Sequence, residues 1–219
     1  MLPKYQEALD KLVNESYELA HCAQEAFEIV VEVLESKDLE RLKEAKALVK
    51  GSTKREAKID MRAIETLALY SPEASDLRKV ATIIKMSGEF SRICDYVKAQ
   101  ANTLMQEIIN EDLVDNDGTR LAFYKSTLTA LSLSVELVKA DDSVLNDLIR
   151  GISIEESKCD DFVSILEKSI ISTMCENSED MEFIVSRLNS VRKLERISDR
   201  CVNIAKLMKF AIEGGKLKL

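Results

Sequence analysis

Residues 194–200 read LERISDR, and residues 90–96 read FSRICDY. Arg92, Ile93 and Asp95 of the earlier stretch recur as Arg196, Ile197 and Asp199, an offset of 104 in a chain of 219 residues. A chain that repeats itself once at nearly half its length reads as two copies of one bundle, with the repeated residues at its polar centre. Glu195 and Asp199 stand four apart, so on a helix both carboxylates leave the same face one turn from each other. Like charges so placed repel, and a cation or a partner arginine is needed to compensate them.

The rest of the chain agrees with long helices. Only six Gly and two Pro occur, Trp is absent and aromatics are few. The net charge is −8, from 39 acids against 31 bases, the opposite balance to that of a nucleic-acid binder. Apolar runs such as residues 29–34 and 83–86 fall well short of the ~20 residues of a membrane span. The N-terminal MLPKYQEALDKL lacks the apolar core of a signal peptide, so a cytoplasmic protein is expected. Cys22, Cys94, Cys159, Cys175 and Cys201 are odd in number, scattered and without C-x-x-C pairing, and read as small core residues. His21 is the only histidine, too few for a zinc site of the usual His/Cys kind.

Periodicity divides the chain into six helices. Leu9, Leu12, Val13, Leu19, Ala23, Phe27, Val30 and Leu34 form the stripe of the first, which breaks at Ser36-Lys37-Asp38 with Asp38 as the next N-cap. The second runs from about 39 to 70, with Gly51 and Ser52 bending its middle. Ser71-Pro72-Glu73 opens the third, Ser71 capping and Pro72 in the first helical position, and it continues to about 112. The acidic, turn-forming residues 111–118 give the domain boundary, with a first bundle over 1–114 and a second over 115–219. The fourth helix covers about 119–139. Asp141-Asp142-Ser143 caps the fifth, which reaches about 175 with Gly151 as the counterpart of Gly51. Asn177-Ser178-Glu179-Asp180 opens the sixth, which stops at Gly214-Gly215. The fold class is all-α, a tandem repeat of two up-down-up three-helix bundles.

On the fifth helix Glu156 and Asp160 again stand four apart. If the fifth and sixth helices are antiparallel neighbours, Glu156, Asp160, Glu195 and Asp199 converge on one patch and raise one another's pKa values unless neutralised. Hard cations with oxygen ligands, Mg²⁺, Ca²⁺, Mn²⁺ or iron, answer that need. Pairing by Arg192, Arg196 and Arg200 into an ordinary solvated face is the alternative. No nucleophile, base or glycine-rich phosphate loop stands out.

Three stretches together carry a family resemblance. Residues 71–78, SPEASDLR, are like Q-P-x-A-S-D-L-R; residues 90–95 are like L-E-R-I-G-D; and residues 194–204, LERISDRCVNI, are like L-E-R-I-G-D-x-x-x-N-I. In this order and spacing the chain resembles the PhoU family of phosphate-specific transport accessory proteins over nearly its whole length. The resemblance implies six long helices in tandem bundles, each with a metal cluster on an acidic-x-x-x-Asp motif. It implies metal ligands at Glu156, Asp160, Glu195 and Asp199, with iron, zinc, magnesium, manganese or calcium as the ion. The first bundle departs from the pattern. Ser91 stands for the motif's acid, leaving Asp95 as the metal ligand there, and Val49 and Thr53 align with the paired acids of the preceding helix, with Glu56 and Asp60, four apart and further along, as substitutes.

The resemblance further implies a negative regulator lying between the ATPase subunit of a phosphate ABC transporter and a phosphate-sensing histidine kinase. It would act as a homodimer that reaches the membrane only through these partners, with Asp76 and Arg78 as partner-binding residues. The competing readings are a carboxylate-bridged di-metal enzyme in a helical bundle and a metal-free helical scaffold. The first wants Glu-x-x-His pairs, and His21 is far in sequence from every acidic pair.

Overall fold

The first helix forms where its stripe of apolar residues predicts. The computed structural model describes residues 3–110, 118–176 and 181–214. In it α1 spans Pro3–Ser36, burying Leu9, Leu12, Leu19, Ala23, Phe27 and Val30. Asp38 caps α2 (Leu39–Leu48), its side chain accepting from the Glu40 N–H at 3.0 Å.

What was expected as one bent second helix is two. The chain breaks at Gly51, whose φ of +79° is the left-handed conformation that glycine adopts without penalty, and α3 then runs Ser52–Tyr70. Arg55, in the first turn of α3, donates to the carbonyls of Leu48 at 2.8 Å and Lys50 at 3.2 Å. It thereby satisfies acceptors that the end of α2 leaves open.

The third expected helix begins later than its Pro72 signal. Ser71 is the left-handed C-cap of α3, at φ +43°, its N–H donating to Leu67 O at 3.1 Å. Used to end one helix, Ser71 cannot cap the next, and α4 spans Ala74–Ile109 with Glu73 at its N-cap and no side-chain capping bond.

In the second half, α5 spans Thr119–Leu137, α6 Leu145–Glu176 and α7 Met181–Glu213. Asp141 accepts from the Ser143 N–H at 2.9 Å in the turn before α6. Gly214, at φ +74°, ends α7. Gly151 is no counterpart of Gly51. It lies inside the continuous α6, where a Cβ would stand 2.9 Å from Leu133 Cδ1 of α5. The boundary expected at 114/115, the cap at 177–180 and the side chain of Cys175 lie outside the described residues.

The two bundles are α1 to α4 and α5 to α7, and no strand occurs among the described residues. They share one core, because α4 packs on α7 and α1 on α5. The α4–α7 contact is antiparallel: Thr82 Oγ1 donates to Leu207 O at 3.4 Å, Arg200 to Glu89 at 3.1 Å, and Gln100 Nε2 to Ser190 O at 2.7 Å. Midway along this run Ile93 and Ile197, the repeated isoleucines, are fully buried. Glu107 and Arg120 pair at 2.5 Å where α4 ends and α5 begins. No helix among the described residues is long and apolar enough to cross a membrane.

The two glycines yield opposite expectations. Gly51→Ala should destabilise by about 1–2 kcal/mol, because a Cβ is strained at positive φ. Gly151→Ala should be neutral or stabilising by up to about 1 kcal/mol, since alanine favours the helix and only the swinging tip of Leu133 must move. Urea unfolding of the two variants distinguishes them, and a Gly151→Ala cost above that of Gly51→Ala would contradict this packing.

Candidate metal-binding face

α6 and α7 lie antiparallel, with Arg192 Nε donating to Glu167 Oε1 at 3.1 Å. α6 turns Ile152, Cys159, Val163 and Leu166 inward, and α7 turns in Leu194, Ile197, Cys201 and Ile204. Glu156, Asp160, Glu195 and Asp199 flank these stripes, so burying the apolar faces carries the four acids to one seam. Glu156 and Glu195 are half-buried there, while Asp160 and Asp199 are exposed.

The electrostatics show the convergence. Burial pushes the Glu156 carboxyl up, and the charges of Asp160 and Asp199 push it further. Glu195 is raised by burial and then by Asp199, Asp160 and Glu167. Asp199 is raised by burial and by Asp160. Lys206, Arg196 and Arg200 oppose these effects without cancelling them. Arg200 is shared between the seam and α4, since its guanidinium also donates to Glu89. Among the described residues no three His, Cys, Asp or Glu side chains already stand close enough to enclose a metal ion. The donors are all hard oxygens and lack a neutralising charge, so the set fits a hard cation once side chains close on it. Lys206, seven residues after Asp199 and so on its face of α7, was not singled out from the sequence, although helical spacing marks it.

The first bundle does not repeat this arrangement. Ser91 is buried and Asp95 exposed on α4. Glu56 and Asp60 do face α4, but about one turn before Ser91. Ser87 Oγ donates to Asp60 Oδ1 at 3.3 Å, and a Cβ on Gly88 would stand 3.3 Å from Glu56 Oε1. Burial raises the Asp60 carboxyl, Ser87 lowers it, and the carboxylate that raises it further is Glu56, not Asp95. Val49, which aligns with one of the paired acids, is buried in the turn after α2.

At the start of α4, Asp76 and Arg78 point to different neighbours. Asp76 has a side chain only 15 % exposed and lies 3.7 Å from Lys79. Its charge, after burial, also holds the Tyr5 phenol above its ordinary pKa. Arg78 lies against the end of α7, its Cζ 3.5 Å from the position of a Cβ on Gly214. Between them Leu77 is exposed.

Similarity to known proteins agrees with this architecture. The PhoU domain model matches residues 17–104 and 123–208, one match in each half. The phosphate-specific transport system accessory protein PhoU of Edwardsiella tarda is 28 % identical over 181 residues, covering 78 % of this chain and 70 % of that protein. The PhoU homolog of Deinococcus radiodurans is 22 % identical over 217 residues, 95 % of this chain and 96 % of its own. The crystal structure of PhoU from Pseudomonas aeruginosa superposes with a TM-score of 0.85 at 19 % identity, over 96 % of this chain and all of that one. The phosphate transport system regulatory protein PhoU from Streptococcus pneumoniae gives 0.82 at 21 % identity, over 98 % and 99 %. With the family domain matched in both halves of a chain of paired helical bundles, the protein belongs to the PhoU family.

Proposed function

We propose that this protein is a non-enzymatic, cytoplasmic regulator of phosphate uptake whose second bundle holds metal on Glu156, Asp160, Glu195 and Asp199. The observation that carries the metal reading is the gathering of four acids on one face of α6 and α7, where burial and then the charges of Asp160 and Asp199 raise Glu156 and Glu195, and burial and then Asp160 raise Asp199. A bound iron, zinc, magnesium, manganese or calcium ion would supply the positive charge that these acids lack. The regulatory reading rests on the relatives, which are named as accessory proteins of a phosphate-specific transport system. It acts, as a homodimer, by docking on the ATPase subunit of a phosphate ABC transporter and on a phosphate-sensing histidine kinase. The docking surface is the start of α4, where Leu77 is exposed between Asp76 and Arg78.

Folding raises the pKa of Glu156, Glu195 and Asp199 above the unfolded carboxylate value of about 4. Between the two values the folded state binds more protons than the unfolded one, so stability falls there as pH rises. In chelator, Glu195→Gln with Asp199→Asn should be more stable than the wild type near pH 7. That advantage should shrink on acidification toward about pH 4, where the wild-type acids are protonated too. Added metal should raise the melting temperature of the wild type alone. Thermal melts across this range check both effects; an advantage that grows on acidification would contradict the assignment.

Removing the protein, or making Glu195→Ala with Asp199→Ala, should release the kinase. Phosphate-starvation genes should then be transcribed in phosphate-rich medium. Silence of those genes in the deletion strain would refute the regulatory reading, and silence in the double variant alone would separate regulation from metal.

A further inference from the structure

α3 carries apolar residues on two opposite faces. Ser52, Ile59, Ala63 and Thr66 are buried against its own bundle. On the far side Ala57, Met61, Ile64 and Ala68 form a second stripe, in the four-three-four spacing of a helix-pairing seam. All four are exposed, Met61 by 60 % and Ile64 by 57 %, and Leu69 lies beside them at 75 %. Among the described elements α3 packs only on α1 and α4, and neither covers this stripe. The outer helix of the second bundle has no equivalent, since the outward line of α6 runs Ile154, Ser157, Asp161, Ile165 and Lys168 and is broken by charge. A continuous apolar line on the solvent side of a charged helix marks an interaction surface.

We propose that the occupant of this surface is a second copy of the chain, with α3 pairing antiparallel to α3 about a two-fold axis between Met61 and Ile64. The proposal rests on the reading of the protein as a homodimer and gives that dimer its interface. The stripe has the same pattern in both directions: small, large, large, small. Reversing one copy therefore sets Met61 on Ile64 of the other at the centre and Ala57 on Ala68 at each end, the self-complementarity that a two-fold contact needs. The flanking charges agree. In this register Lys58 comes opposite Glu65 of the second copy, twice by symmetry, whereas a parallel pair would bring Asp60 beside Glu65, like charge on like. Lys58 reaches Glu15 of α1 at 3.2 Å, but Glu15 also holds Arg62, so Lys58 can turn to the seam without leaving that carboxylate unpaired. Lys54 falls beside Leu69 of the second copy, where its stem covers the exposed side chain. With 19 residues α3 is about 28 Å long, so the contact is at the small end for a specific interface and association depends on concentration.

Sedimentation equilibrium of the full chain reads the association. Met61→Lys with Ile64→Lys puts charge on the seam at exposed positions, and should weaken dimerisation by about a hundredfold or more with the circular dichroism unchanged. Glu65→Lys should weaken it by about tenfold at low salt, and adding Lys58→Glu should restore it. The register has its own readout. A mixture of Ala57→Cys and Ala68→Cys proteins should form a 57–68 disulfide on mild oxidation, identified by peptide mapping. Neither variant alone should link through its new cysteine, because like positions lie about 16 Å apart along the antiparallel pair. Dimers that survive the two lysines, or links from 57 to 57 and from 68 to 68, would overturn this interface and leave the homodimer reading standing. A wild type that stays monomeric at every concentration would end both. Should the lysine variant fail to fold, the cysteine mixture still decides the question.

Discussion

Gln100 makes the bond set on which the relative placement of the two bundles depends. Its amide is fully buried where α4, α5 and α7 meet. The nitrogen donates to Ser190 O at 2.7 Å, and the oxygen accepts from Tyr124 OH and from Ser190 Oγ, each at 2.8 Å. Leaving any one of these groups without a partner would cost about 1–3 kcal/mol, so sliding α7 along α4 by a turn is excluded by several such penalties at once. Thr82 to Leu207 and Glu89 to Arg200 hold the same register further along. With α7 fixed on α4 and α6 packed on α7, the seam of acids is set where solvent can reach it.

Arg200 joins that register to the electrostatics of the face. Its position next to Asp199 in sequence suits it to neutralise the seam, yet its guanidinium is engaged with Glu89 on the other bundle. The acids therefore keep a deficit of positive charge, and their raised pKa values record it. In the first bundle the acids of α3 stand about one turn from Ser91, Asp60 accepting from Ser87 and Glu56 lying beside Gly88, and Asp60 is raised by burial and by Glu56. Two halves of similar backbone thus place their acids differently along the motif helix.

Much of this was legible in the sequence where a short-range rule governs. The i, i+4 spacing put Glu195 with Asp199 and Glu156 with Asp160, and apolar periodicity made the helices that bring them together. Asp38 capped α2 as its type and position require. What escaped was decided by contacts distant in sequence. Gly51 and Gly151 look alike in a helical pattern, but one sits beside carbonyls that Arg55 can satisfy and breaks the helix, while the other sits under Leu133 and does not. Ser71 carries a capping signal for both of its neighbours, and the end of α3 took it. The motif around Asp76 and Arg78 was visible, but its division between Lys79 and the end of α7 depends on packing at the bundle's edge. Gln100 gave no signal, since a lone glutamine in a helix is ordinarily a solvated residue.

The central expectation is that the second bundle takes a cation from solution on its four acids. Anomalous diffraction at the manganese edge, from crystals of the full chain equilibrated with Mn²⁺, tests this most directly. The expected result is a peak among Glu156, Asp160, Glu195 and Asp199 and none between α3 and α4. A peak beside Asp95, or none on the α6–α7 face, would contradict it.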